Sequence, residues 1–134
     1  MLPFFTTTFR NSSTLTHDCG RKAANAVEDA RIGIACFFGV QSNEIVVTWE
    51  ATESNNAALN LLGPGDHRGV VYHSNIAQAA GKIALSLTNV DLVSFSAHKL
   101  CGPKGIGGLF VRRSVRIEPR SAFARMRCEK KEDG

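Results

Sequence analysis

The chain is 134 residues long, 43% hydrophobic, with a formal net charge of +4; that suffices for one hydrophobic core and one domain. No run approaches the roughly 18 apolar residues of a membrane span, and the first residues lack the charged start and long apolar stretch of a secretory signal. The four cysteines follow neither a CxxC nor a zinc-ligand spacing, so buried or incidental thiols in a reducing compartment are expected. Eight of the sixteen basic residues lie from Arg112 onward. They show no pattern of aromatic interleaving and are diluted by Glu118, Glu129, Glu132 and Asp133, as in a solvated tail; neither nucleic acid nor a membrane is expected as a partner.

In chain order, residues 21–38 predict an amphipathic helix, with Ala23, Ala26, Val27, Ala30, Ile34 and Phe37 close to helical spacing. Ile45 to Thr48 is a short β-branched strand. Thr52 follows where a helix cap belongs, and a helix from about Glu53 would aim its free N–H groups and positive dipole end at an anion. Residues 63–69, rich in Gly and Pro, are turn chemistry. Alternation over Leu92 to Ser96 predicts another strand, and Gly108 to Val111 a further one. Between them Gly102, Pro103, Gly105, Gly107 and Gly108 call for a tight, closely approaching backbone. Lys99 stands at the end of the first of these strands. A lysine there can lose solvation and attack a carbonyl as a neutral amine; the plain alternative is an exposed turn lysine. His17 reads as a surface or capping residue, and His67 and His73 as structural.

Residues 94–108, Ser-Phe-Ser-Ala-His-Lys-Leu-Cys-Gly-Pro-Lys-Gly-Ile-Gly-Gly, resemble the pyridoxal-phosphate lysine segment of cysteine desulfurases, within the class V aminotransferase superfamily. Residues 44–60 resemble the strand, phosphate-binding turn and helix of that family. Residues 70–87 resemble its strand ending in an aspartate, followed by a glutamine and Gly-Lys. Residues 9–17 are similar to its Phe-Gly-Asn-Pro-Ser-Ser stretch, with Arg10 and Ser12 in place of the glycine and proline. The resemblance implies pyridoxal 5'-phosphate as cofactor. Lys99 would carry it, Thr52, Ser96 and His98 would hold its phosphate, and Asn75 and Gln78 would contact its ring. Asn75 replaces the aspartate that partners the protonated pyridine nitrogen, so the electron sink is weakened. Glu50 stands where the family usually has glycine, which implies a turn that is strained or negatively charged beside the phosphate.

The same resemblance implies an α/β fold: part of the large domain of the aspartate-aminotransferase-like fold, a mostly parallel sheet flanked by helices. That domain would span 1–120, with a junction near 63–69 where a long family stretch, including the ring-stacking histidine, has no counterpart. Residues 121–134 would be a basic, disordered tail, without the loop that carries the family's persulfide-forming cysteine. The implied activity is sulfur transfer from L-cysteine to an enzyme persulfide with release of alanine, for iron–sulfur cluster or thio-cofactor biosynthesis. The alternative is a catalytically dead remnant that binds the cofactor or a full-length homologue without turnover. Implied partners are a second copy or a full-length homologue, and a sulfur acceptor or scaffold protein. The implied compartment is the cytoplasm or, in a eukaryote, the mitochondrion.

Overall fold

The computed structural model describes residues 2–6, 11–13, 16, 18–61 and 70–115. It forms two compact units, Met1–Ser42 and Asn43–Gly134. His17, His67, Cys128, the 63–69 junction and the 121–134 tail lie outside the described residues.

The first unit holds helices α1 (Leu2–Thr6) and α2 (Asp18–Phe38). Asp18 opens α2 and pairs with Arg21 one turn on, and Glu28 pairs with Arg31 at 3.2 Å. Both pairs use i,i+3 spacing, and the acid in the first turn complements the helix dipole. The helix ends in a Schellman motif: Gly39, at φ +66°, donates to Cys36 O at 3.2 Å and Val40 to Ala35 O at 2.9 Å. A side chain at Gly39 would strain that left-handed turn. The buried stripe is narrower than the spacing predicted. Gly20, Ala23 and Ala35 are buried, whereas Val27 and Phe37 are exposed.

The second unit is a four-stranded sheet with one helix against it. Its strands are β1 (Ile45–Thr48), β2 (His73–Asn75), β3 (Leu92–Ser96) and β4 (Gly107–Val111), in the order β1-β4-β3-β2. β4 is antiparallel to both of its neighbours, while β2 and β3 are parallel. The sheet is therefore mixed and mostly antiparallel, which corrects the mostly parallel sheet expected from the sequence. The cause is connection length. Parallel strands in one sheet need a crossover of a dozen or more residues, and only residues 97–106 separate β3 from β4, so the chain must fold straight back.

Helix α3 (Ala51–Leu61) covers one face of the sheet. Its Ala57, Ala58 and Leu61 form a buried cluster with Leu92, Leu109 and Val111. Burial of Leu61 alone contributes roughly 1.5–3 kcal/mol. Alternation places Val93, Phe95 and Phe110 on the other face, and all three are buried. Phe95 faces Gly108 across the β3–β4 pair, and a Cβ there would lie 2.3 Å from the ring. The glycine is the vacancy the ring occupies.

At the end of the sheet where β4 finishes, Arg112 gathers the loop before β3. Its guanidinium donates to Leu87 O, to Thr88 O at 2.8 Å and to Val90 O at 2.8 and 3.0 Å, lies 3.6 Å from the Asp91 carboxylate, and sits over Phe110. Asp91 in turn accepts from Tyr72 N–H at 3.0 Å. This end is a structural staple. Among the described residues no helix is long and apolar enough to cross a membrane.

Candidate functional site

The opposite sheet end collects the motifs. β1 and β3 each pair antiparallel with β4, so they run the same way, and Thr48 and Ser96 both register with Gly107. β2 runs parallel to β3 and ends at Asn75, opposite Ser94. The carboxyl ends of β1, β2 and β3 thus open on one edge, and each leads into a segment singled out by sequence. β1 leads through Trp49-Glu50 into α3 with Thr52. β2 leads into the turn bearing Gln78. β3 leads into a single 3₁₀ turn, Ala97–Leu100, bearing His98 and Lys99. A crevice beyond the carboxyl ends of strands is where open α/β sheets bind ligands.

Backbone packing explains the glycines. A Cβ on Gly107 would lie 2.6 Å from the carbonyl carbon of Glu50, 2.7 Å from its Cα and 2.9 Å from Thr48 Oγ1. The turn after β1 therefore rests directly on β4, and only glycine allows it. On the other side, Ala97 N–H donates to Ile106 O at 3.0 Å and Gly102 N–H to Ala97 O at 2.9 Å, closing the loop that carries Lys99. Cys101 turns this loop at φ +60°, the one non-glycine residue with positive φ among the described residues.

Ser96 is buried, and its hydroxyl lies 2.7 Å from His98 Nδ1. When Ser96 donates, His98 carries its proton on Nε2, free to meet an anion; when His98 donates, the Ser96 hydroxyl proton is the free one. Either way the two share one donor, so they act as a unit. Lys99 is exposed, in keeping with the turn-lysine alternative and not with desolvation by this chain alone. Thr52 and Gln78 are exposed as well. Asn75 accepts from Ala77 N–H through Oδ1 at 3.0 Å and donates from Nδ2 to Asn55 Oδ1 at 3.4 Å. The Ala77 contact fixes the amide, so its second Nδ2 hydrogen is what Asn75 can offer to a ligand.

Two expectations change. Helix α3 starts earlier than predicted: Ser54 N–H donates to Glu50 O at 3.1 Å, so Glu50 is the N-cap and Thr52 lies in the first turn. Glu50 is also not strained, since its φ is not positive. Cys19, Cys36 and Cys101 are exposed, which leaves the incidental of the two readings expected of the thiols.

Sequence reasoning missed the residue that holds the site together. Ser54, fully buried, places its hydroxyl 2.7 Å from Thr48 Oγ1, 3.2 Å from Glu50 O and 3.0 Å from Gly108 O. One side chain ties β1, the turn, α3 and β4 together. Its only sequence signal was a small polar residue on the apolar side of a helix. Asn55 carried no signal. Behind the site, His73 Nε2 lies 2.7 Å from the buried Ser94 hydroxyl, and burial holds the imidazole pKa below its ordinary value. That fits the structural role expected of it.

Comparison with known proteins bears on the family and the fold. The aminotransferase class-V family profile matches residues 1–73 and again 65–127, two pieces whose overlap, 65–73, takes in most of the 63–69 junction. The cysteine desulfurase IscS of Rickettsia felis is 29% identical over 200 aligned positions, covering 87% of this chain and 49% of that protein. The alignment is longer than the 134 residues of the chain, so it carries a long gap on this side. The IscS of Rickettsia akari matches equally, and the chain spans about half the length of these relatives. Among solved structures, a NifS-like protein superposes with a TM-score of 0.79 at 22% identity, over 90% of this chain and 56% of that one. The apo cysteine desulfurase of Thermococcus onnurineus NA1 gives 0.75 at 18% identity, over 90% and 51%. These structures share the fold, and the sequence match carries the lineage: the chain belongs to the aminotransferase class-V family, as a partial domain related to the cysteine desulfurases.

Proposed function

We propose that the chain binds pyridoxal 5'-phosphate in the manner of a cysteine desulfurase, with Lys99 as the residue that carries the cofactor. The observation behind this is the convergence of three separate motif segments on one sheet edge, with Lys99 on the turn that follows β3. The residues fit the group in kind. An exposed lysine, a Ser96–His98 donor pair, the Thr52 hydroxyl at the start of α3 and a backbone cradle shaped by Gly107 all lie at that edge.

When bound, the cofactor supplies an electron sink for the Cα of an amino-acid substrate. The chain's own residues do the rest. Lys99 Nζ would hold the cofactor and would serve as the base that moves the Cα proton. Ser96, His98 and Thr52 would hold the phosphate, and Gln78 would orient the ring. The substrate of this reading is L-cysteine, whose sulfur passes to a cysteine thiolate as a persulfide while alanine leaves. None of Cys19, Cys36 and Cys101 is assigned that thiolate.

One observation favours a second reading, binding without turnover. Asn75, whose Oδ1 is held by Ala77 N–H, would offer the pyridine nitrogen an N–H donor where a carboxylate would keep that nitrogen protonated, so the sink would be weaker. Exposure of Lys99, Thr52 and Gln78 also fits a site completed by a second copy or a full-length homologue.

The test is to mix the purified chain with pyridoxal phosphate, follow visible absorption, fix with borohydride and map the label by mass spectrometry. Label on Lys99 that disappears in Lys99→Ala is expected. A folded chain that takes no label refutes the proposal. In a labelled chain, Asn75→Asp separates the two readings: new alanine release from cysteine supports a desulfurase weakened at the ring nitrogen, and no gain sinks that explanation.

A further inference from the structure

Two backbone donors beside the start of α3 are taken by this chain's own carboxylates. Glu50 Oε1 accepts from Gly105 N–H at 3.2 Å, and Glu53 Oε2 accepts from Trp49 N–H at 2.6 Å. Glu50 is the N-cap of α3 and Glu53 lies in its first turn. Both negative charges therefore sit where the helix dipole is positive, the position a bound anion would use. Gly105 belongs to the loop after Lys99, and its φ is +80°. The indole of Trp49 lies over it, with Cε3 4.0 Å from where a Cβ would stand. The contact between the turn after β1 and the lysine loop is thus made by the charged head of Glu50 and flanked by the only tryptophan in the chain.

We propose that Glu50 is a specificity-determining residue that weakens the site's hold on a phosphate group by clasping the lysine loop with its own carboxylate. The inference rests on the cofactor reading above and adds a selectivity that reading does not require. A dianionic phosphate approaching α3 meets a like charge, and it must share or displace the Gly105 donor. A pyridoxal lacking phosphate meets neither penalty. The chain therefore discriminates between phosphorylated and unphosphorylated pyridoxal less than the bare helix start would.

Glu50→Gln separates charge from hydrogen bond, since the amide oxygen can still accept from Gly105 while the charge is gone. Glu50→Ala removes both. The full chain and both variants are titrated with pyridoxal 5'-phosphate, with pyridoxal and with inorganic phosphate, reading quenching of Trp49 fluorescence. Circular dichroism confirms that each variant folds. Glu50→Gln is expected to bind pyridoxal phosphate about tenfold more tightly, the size of one charge-assisted contact. Pyridoxal affinity should stay within about twofold. Glu50→Ala should also speed amide exchange at Gly105, a readout that needs no cofactor.

Equal changes for pyridoxal and its phosphate, or no change for either in a chain that labels at Lys99, overturn the clasp and leave the cofactor reading standing. Unchanged exchange at Gly105 in Glu50→Ala also overturns it. Absence of Lys99 label in the wild type and in both variants overturns both.

Discussion

Ser54 offers the sharpest test of how the site is held. Its hydroxyl meets Thr48 Oγ1, Glu50 O and Gly108 O within 2.7–3.2 Å while fully buried. Replacing it with alanine deletes one donor and one acceptor at no great cost in volume, so the cavity contribution is small. A net hydrogen bond contributes about 1 kcal/mol, and a buried carbonyl left without its donor adds about 1–3 kcal/mol. Thr48 Oγ1 keeps a fallback in Glu50 O at 3.3 Å, which limits the loss. The expected cost of Ser54→Ala is therefore about 2 kcal/mol, a drop in melting temperature on the order of 10 °C for a domain this size. The assay is urea and thermal unfolding followed by circular dichroism for wild type, Ser54→Ala, Thr48→Val and the double variant. The double variant should fall short of additivity by about 1 kcal/mol, because the two hydroxyls serve each other. A cost under about 0.5 kcal/mol, or strict additivity, would refute the assignment of Ser54 as the tie between turn and sheet.

Gly107→Ala should be costlier, by about 2–4 kcal/mol, because its Cβ meets the backbone of Glu50 at 2.6 Å and a backbone cannot step aside; retention of wild-type stability and of Lys99 labelling would contradict the cradle. Arg112→Ala should cost about 2–3 kcal/mol, with Arg112→Lys recovering only part, since an ammonium cannot span the carbonyls of Leu87, Thr88 and Val90 as the fork does; amide exchange across residues 87–91 reads this directly. His73 supplies a pH dependence. Desolvation lowers its folded pKa below 6.5, so the unfolded chain binds the proton more tightly and stability rises with pH across the window from that lowered value up to 6.5. Stability should be fully present above 6.5 and fall as the pH drops through the window, and His73→Gln should flatten that part of the profile. A profile that is unchanged in His73→Gln would assign the slope to other groups.

Much of this arrangement was legible because it is local. The β-branched run at 45–48 and the alternation at 92–96 are strands in the structure, and the predicted helix over 21–38 lies within α2. Close approach at Gly107 and Gly108 follows from glycine clustering. Strand direction is not written in periodicity, because Gly108 to Val111 alternates identically whichever way it runs. The length of the 97–106 connection held that information, and the expectation of a mostly parallel sheet passed over it. The helix start was misplaced for a similar reason. Thr is the better cap by propensity, yet the Gly107 contact fixes the turn and hands the capping position to Glu50. The Ser54 network and the Glu50–Gly105 contact join residues 54 and 55 positions apart, beyond the reach of any windowed pattern.

The position of β4 has a consequence for how such a protein changes over time. Because β4 lies between β1 and β3, it brings the turn after β1 and the lysine loop after β3 side by side by hydrogen bonds of its own. Nothing in those two ladders involves residues between α3 and β2. Chain can be gained or lost there without moving Thr48, Gly107 or Ser96 out of register, and only the short edge strand β2 must find its place again. The two halves of the site are distant along the gene but adjacent in the sheet, so lineage can persist in the pairing of strands after continuity of sequence is broken.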